Sequence, residues 1–201
     1  RVHQLDGNNW VKVGQDLDGE AADDRFGGNS DNSVSISADG STVAVGAQFN
    51  DGNGNKSGHV RVYKLPPADP TLSSAAYNAS SGVLTVTGTN FVKKDGSAND
   101  IDVSKLSITG EGGSSYTLTS SDVEMSSSTQ FSVTLNAADQ LNVGGLLNKN
   151  GTNSDGGTTY NLAAADNWLA GAAASADISD ASSNGITVSN VANPTVSSAA
   201  F

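Results

Sequence analysis

The octapeptide Pro70-Thr-Leu-Ser-Ser-Ala-Ala-Tyr77 returns almost letter for letter as Pro194-Thr-Val-Ser-Ser-Ala-Ala-Phe201, 194 − 70 = 124 residues later. Its two changes, Leu72 to Val196 and Tyr77 to Phe201, keep apolar character in place. Self-similarity at a fixed period marks a tandem array, in which each copy is one structural unit. One whole unit is therefore expected over residues 70–193. Residues 194–201 are expected to form the first strand of the next.

The composition favours strands. Only 5% of the 201 residues are aromatic and 15% charged, and 23 are Gly. Short apolar runs between polar, Gly-rich turns indicate β structure with frequent reversals. The net charge of −11 argues against nucleic acid as a partner, because phosphate binding needs a basic surface. There is no cysteine, so disulfides, thiolate zinc sites and cysteine nucleophiles are excluded. No stretch approaches the roughly 20 consecutive apolar residues of a membrane span.

Residues 1–65 carry a second repeat. Arg1-Val-His-Gln-Leu5 matches Arg61-Val-Tyr-Lys-Leu65 at an offset of 61 − 1 = 60. Alternating runs lie between them at Trp10–Val13, Ser33–Ser37 and Thr42–Gly46, the last two joined by Ala38-Asp-Gly40. Asp-Gly between alternating runs is a strong hairpin signal. Four short antiparallel strands at a period near 60 describe one blade of a β-propeller, with an extra strand from its neighbour.

The same residues resemble the FG-GAP repeats of integrin-α-like propellers, especially their secreted bacterial versions. The resemblance rests on Phe26-Gly27, Ser37-Ala-Asp-Gly-Ser41, Gly46-Ala47-Gln48 and Gly58-His-Val-Arg-Val-Tyr63. It departs at Gln48, where the family has Pro, and at the extra residues Gly28 to Asn32. It implies a propeller of several blades, and one blade cannot close a ring.

FG-GAP blades often carry a calcium loop, and two stretches approach one. Asp16-Leu-Asp18-Gly-Glu20 alternates carboxylates, and Asn50-Asp-Gly-Asn-Gly-Asn55 offers Asp51, Asn53 and Asn55 on a curling loop. Alternate oxygen ligands on a tight loop suit Ca2+. Asp51, Asn53, Asn55, Asp16 and Asp18 are thus the candidate metal ligands. Lys56 stands where a Gly belongs, and no bidentate Glu follows. Polar turns use the same residues, because Asn, Asp and Gly tolerate positive φ. A weaker third loop gathers Asp95, Asn99, Asp100 and Asp102.

Residues 66–70, with adjacent prolines and then Asp69-Pro70, are expected to be a semi-rigid linker. Beyond it, alternation at Gly82–Gly88, Ser104–Thr109, Ser115–Thr119, Asp122–Met125, Gln130–Leu135 and Gly185–Ser189 predicts an immunoglobulin-like β-sandwich of about seven strands. Its expected inward stripe is Leu84, Val86, Leu106, Ile108, Tyr116, Leu118, Phe131, Val133 and Leu135. One short helix is predicted from Ala137, capped by Asn136 with Asp139 in its first turn, covering an open end of the sandwich. Trp168 is read as a core plug rather than a sugar platform.

The opening strand and Gly88-Thr-Asn-Phe91 resemble the start of IPT/TIG-type immunoglobulin-like domains. The longer run through Asn99–Asp102, Ile108–Glu111, Asn148–Thr152 and Tyr160–Leu162 is similar to tandem repeats of very large bacterial adhesin-like surface proteins. That resemblance implies an extracellular or bacterial cell-surface stalk with no catalytic residues.

The expected fold class is all-β: one propeller-blade-like antiparallel sheet plus an immunoglobulin-like β-sandwich with one short helix. The expected function is a structural or adhesive segment of a long secreted or cell-surface repeat protein. Its partners would be copies of itself or neighbouring repeats, reached by strand addition along a filament. The alternative is a calcium-dependent module binding a carbohydrate or a surface protein. Only His3 and His59 exist, no Gly-x-Ser-x-Gly elbow occurs, and no positioned acid–base set can be named, so no enzyme is expected.

Overall fold

A computed structural model describes the chain apart from residues 7–8, 29–32, 66–67, 174–175 and 193–201. The chain is all-β and divides into two compact units, residues 1–67 and 68–201. The adjacent prolines of the expected linker and the returning octapeptide lie outside the described residues.

The first unit holds two small antiparallel sheets. Strands β1 (Val2–Asp6) and β2 (Asn9–Val13) form a two-stranded ribbon, with Val2 opposite Val13 and Asp6 opposite Asn9. Strands β3 (Val34–Ile36), β4 (Thr42–Ala47) and β5 (His59–Lys64) form a three-stranded sheet in that order. The Trp10–Val13 run, expected to be one strand of a four-stranded blade, pairs with β1 instead. Only two residues separate those strands, so their contact closes at far lower entropic cost than one across the chain to β5. The Asp-Gly turn forms as expected. Asp39 accepts hydrogen bonds from the Ser37 hydroxyl at 2.6 Å and from the Ser41 N–H at 3.1 Å, while Gly40 takes φ 70°. These bonds, the one from Ser37 foremost, hold the Asp39 carboxyl down at about 2.

The second unit is one continuous sheet of eight strands. They are β6 (Thr71–Asn78), β7 (Val83–Thr89), β8 (Leu106–Thr109), β9 (Ser115–Thr117), β10 (Met125–Ser127), β11 (Gln130–Thr134), β12 (Asn161–Ala164) and β13 (Gly185–Ser189). Their order across the sheet is β10-β11-β7-β6-β13-β12-β8-β9. Four strands on each side, joined through the first, reproduce the strand order of the two immunoglobulin sheets. Strand β6 makes that join. It runs antiparallel to β7 and parallel to β13, with a register shift between Leu72 and Ser74.

Inward residues from both halves, among them Leu84, Val86, Phe131, Leu106, Ile108, Leu162 and Ile186, fall into one buried cluster. A single sheet can do this only by curling around its contents. The predicted stripe is inward as expected, except that Tyr116 is only half-buried. Trp168 is fully buried, 5.3 Å edge-on from Phe91, and its indole N–H donates to Ile178 O at 2.8 Å. Phe91 comes so close to β7 that a Cβ at Gly88 would collide with its ring and with the Thr71 carbonyl. Tyr160, at the start of β12, turns its hydroxyl back to the Lys149 main chain, donating to its O at 3.2 Å and accepting from its N–H at 3.1 Å. That is the corner contact typical of such sandwiches.

The helix is α1 (Ala137–Leu146), and Asn136 caps it by accepting from the Asp139 N–H at 2.8 Å. Its buried residues Val143 and Asp139 face inward. The Asp139 carboxylate accepts from Tyr116 Oη, Thr119 N and Oγ1, and Ser120 N and Oγ, at 2.6–3.0 Å. Burial alone would raise its pKa. The hydroxyls of Ser120, Thr119 and Tyr116 outweigh that and leave it below the ordinary Asp range. Among the described residues, no helix is long and apolar enough to cross a membrane.

Candidate functional site

Two regions of the first unit bear on function: the polar loops picked out by spacing, and the free edge of β5.

The five candidate ligands do not converge among the described residues. Asp16 lies 3.1 Å from Arg1 Nε and 3.0 Å from Lys12 Nζ, and these partners, Lys12 foremost, lower its pKa. Asp18 accepts from Arg61 Nη1 through its main-chain oxygen at 3.4 Å. Asp51 Oδ1 accepts from the Lys56 N–H at 2.6 Å, and Asp51 O accepts from the Gly54 N–H at 3.0 Å. Asn53 and Asn55 are exposed at the tip of that turn. In the third loop the carboxylates of Asp100 and Asp102 are likewise taken up by main-chain N–H groups. Buried Asp100 accepts from the N–H groups of Lys94 and Met125, and Asp102 caps the turn at Ser104. Among the described residues, no three His, Cys, Asp or Glu side chains gather as a metal site.

The residues that do converge lie at the borders of the two stretches, Glu20 at the end of one and Asn50 at the start of the other, and none is among the five candidate ligands. Asn50, buried just before the Asp51 turn, donates to Glu20 Oε2 at 2.7 Å and to Asp24 Oδ2 at 2.9 Å. Arg61 pairs with the other Glu20 oxygen. The Asn50 hydrogen bond, followed by Arg61, keeps the Glu20 pKa low against the effect of burial. Phe26 bridges to Ala47 and stands edge-on to Tyr63 at 6.3 Å. This network ties the loop 16–27 across β4 and β5, a structural role. A carboxylate followed at a distance by Asn is too common a signal to find it from sequence.

The β5 edge is different. Leu65 N donates to Ser41 O, which sets the odd-numbered residues of β5 to bond toward β4. The opposite strand agrees: Gly46, across from Val60, gives its N–H to Ser33 O and takes the Gly27 N–H, so neither group turns to β5. The main-chain groups of Val60, Val62 and Lys64 therefore point outward, where no strand pairs with them among the described residues. Val60 and Val62 are 68% and 67% exposed, beside Ala44 and Gly46 on one face of the sheet. Val34 and Ile36 are exposed on the other face. Apolar residues on both faces of a three-stranded sheet are what a blade packed between neighbours would carry.

No protein-family model matches this sequence, and no curated protein or solved structure matches it.

Proposed function

We propose that this chain is a structural segment of a long secreted or cell-surface repeat protein, assembling with copies of itself through the first unit. The observation that carries the reading is the open β5 edge flanked by exposed valines. An edge of unpaired N–H and C=O groups is a template for another strand, and proteins that stay apart usually blunt it. The charge distribution supports the same end. Residues 1–67 hold six Lys or Arg against nine Asp or Glu, 6 − 9 = −3, whereas residues 68–201 hold four against twelve, 4 − 12 = −8. Self-repulsion is therefore weakest on the unit with the open edge.

Sedimentation velocity across protein concentration and salt tests this. Association should grow with both, because salt screens the remaining acidic repulsion. A chain that stays monomeric at high concentration in high salt, with only isolated particles in electron micrographs, would refute the reading.

A further inference from the structure

The 60-residue repeat supplies a template for what the β5 edge accepts. Strand β1 has the same Arg-Val-x-x-Leu sequence as the stretch running through β5, with Val2 equivalent to Val62, His3 to Tyr63 and Gln4 to Lys64. In β1 that sequence is paired with β2: Val2 opposite Val13, His3 opposite Lys12, Gln4 opposite Val11. Asp6 and Asn9, separated by two residues, close the ribbon and so exchange hydrogen bonds. Alternation then makes Gln4–Val11 and Val2–Val13 bonded pairs too. The parity matches. The even-numbered groups that β1 spends on β2 are those that β5 presents, at Val62 and Lys64, to an empty edge.

The geometry points to a strand of the β2 pattern, Trp10-Val-Lys-Val13, donated by a second copy of this chain and laid antiparallel along β5 with Val13 opposite Val62 and Val11 opposite Lys64. This rests on the self-assembly reading above and names its partner segment. Release of β2 from β1 costs little, because a two-stranded ribbon alone is marginal in water. Addition to β5 converts three strands into four and sets the Val13 side chain beside Val62, on the face where Val60 and Val62 stand bare. A copy that accepts at β5 and donates at β2 uses two different segments, so the contact propagates from copy to copy except where two copies exchange β2 reciprocally and close as a swapped pair.

The test uses a fluorophore-labelled peptide of residues 8–15 titrated against the full-length chain by anisotropy. Saturable binding is expected, weakened at least tenfold when the peptide is N-methylated at Val11, whose N–H faces Lys64. The same change at Lys12, whose N–H faces away, should have little effect. Equal loss at both positions, or no binding at all, overturns the proposal. The chain has no cysteine, so location can be read cleanly. A peptide bearing Lys12→Cys should form a disulfide with Tyr63→Cys chain, since such a non-bonded pair places Cα atoms about 4.5 Å apart. Cross-linking to His3→Cys alone would mean that the peptide only displaces β2 from β1, and would sink the idea. A chain that associates in the centrifuge yet ignores the peptide disproves this inference alone. A chain that takes the peptide yet stays monomeric disproves the assembly reading, and with it the second copy as donor, while the match between the β5 edge and the β2 pattern stands.

Discussion

The two units handle the same liability, the edges of a sheet, in opposite ways. The second unit ends its eight-stranded sheet in β9 and β10, three residues each and mostly Ser and Thr, so little unpaired backbone is offered. The first unit ends its three-stranded sheet in β5, six residues long, with two valines out in solvent. The second unit also has a core large enough to bury Trp168, Phe91 and Phe131 together, whereas the first leaves Trp10 69% exposed. One unit is finished within its own chain. The other leaves a six-residue edge strand that no described residue pairs with on its outer side.

That contrast can be broken at several strengths. The largest effect should come from Trp168→Ala, which opens a cavity against Phe91 and Phe131 and orphans Ile178 O; a loss of about 3–5 kcal/mol is expected for the second unit. Urea unfolding followed by circular dichroism measures it. A loss under about 1 kcal/mol would mean the core is not organised around the indole.

Next comes Asp139→Asn, which leaves donors from Tyr116, Thr119 and Ser120 without their carboxylate and should cost about 2–3 kcal/mol. The sign of its pH dependence follows from the depressed native pKa. The charged carboxylate stabilises the fold fully above the ordinary Asp value, and that contribution drains as pH falls through the lower native one. Acid should therefore destabilise the native second unit more steeply than the Asn variant. Parallel slopes would show that other carboxylates govern the acid response. Trp168 reports this unit alone once Trp10 is replaced by Phe, since the chain has two tryptophans, one in each unit.

Gly88→Ala should cost about 1–3 kcal/mol, because β7 must shift to clear Phe91 and the Thr71 carbonyl. A neutral result would show that the strand gives way freely there. The smallest effect belongs to the first unit: Val60→Ser should change stability by less than about 0.5 kcal/mol while reducing self-association in the centrifuge. Unfolding caused by that substitution would show that the exposed valines already serve the isolated unit.

Much of the second unit was legible because its inward residues alternate with period two along β7, β8 and β11, and the curled sheet buries that stripe. The helix was legible through Asn136 and Asp139, whose capping chemistry is local. Strand β12 escaped notice as a strand because Asn161-Leu-Ala-Ala164 has one large apolar residue and little β preference of its own. Burial between β13 and β8 supplies what the sequence does not declare. The candidate ligands misled in the other direction. Spacing showed Asp16 and Asp18 alternating, but not that Arg1 and Lys12 would take Asp16. The free edge of β5 was invisible until pairing was known, since a paired and an unpaired Val-Arg-Val-Tyr read alike.

Strand β6 has a mechanical corollary. Because it lies parallel to β13, tension applied at residue 70 and at residue 190 drags the two along their common axis in opposite senses. All five matched positions, Ser74 against Gly185 through Asn78 against Ser189, then resist together instead of parting one at a time. A sandwich stretched this way should hold and then yield abruptly, visible as one sharp rupture in a single-molecule pulling trace. A gradual, low-force extension would show that the strands peel.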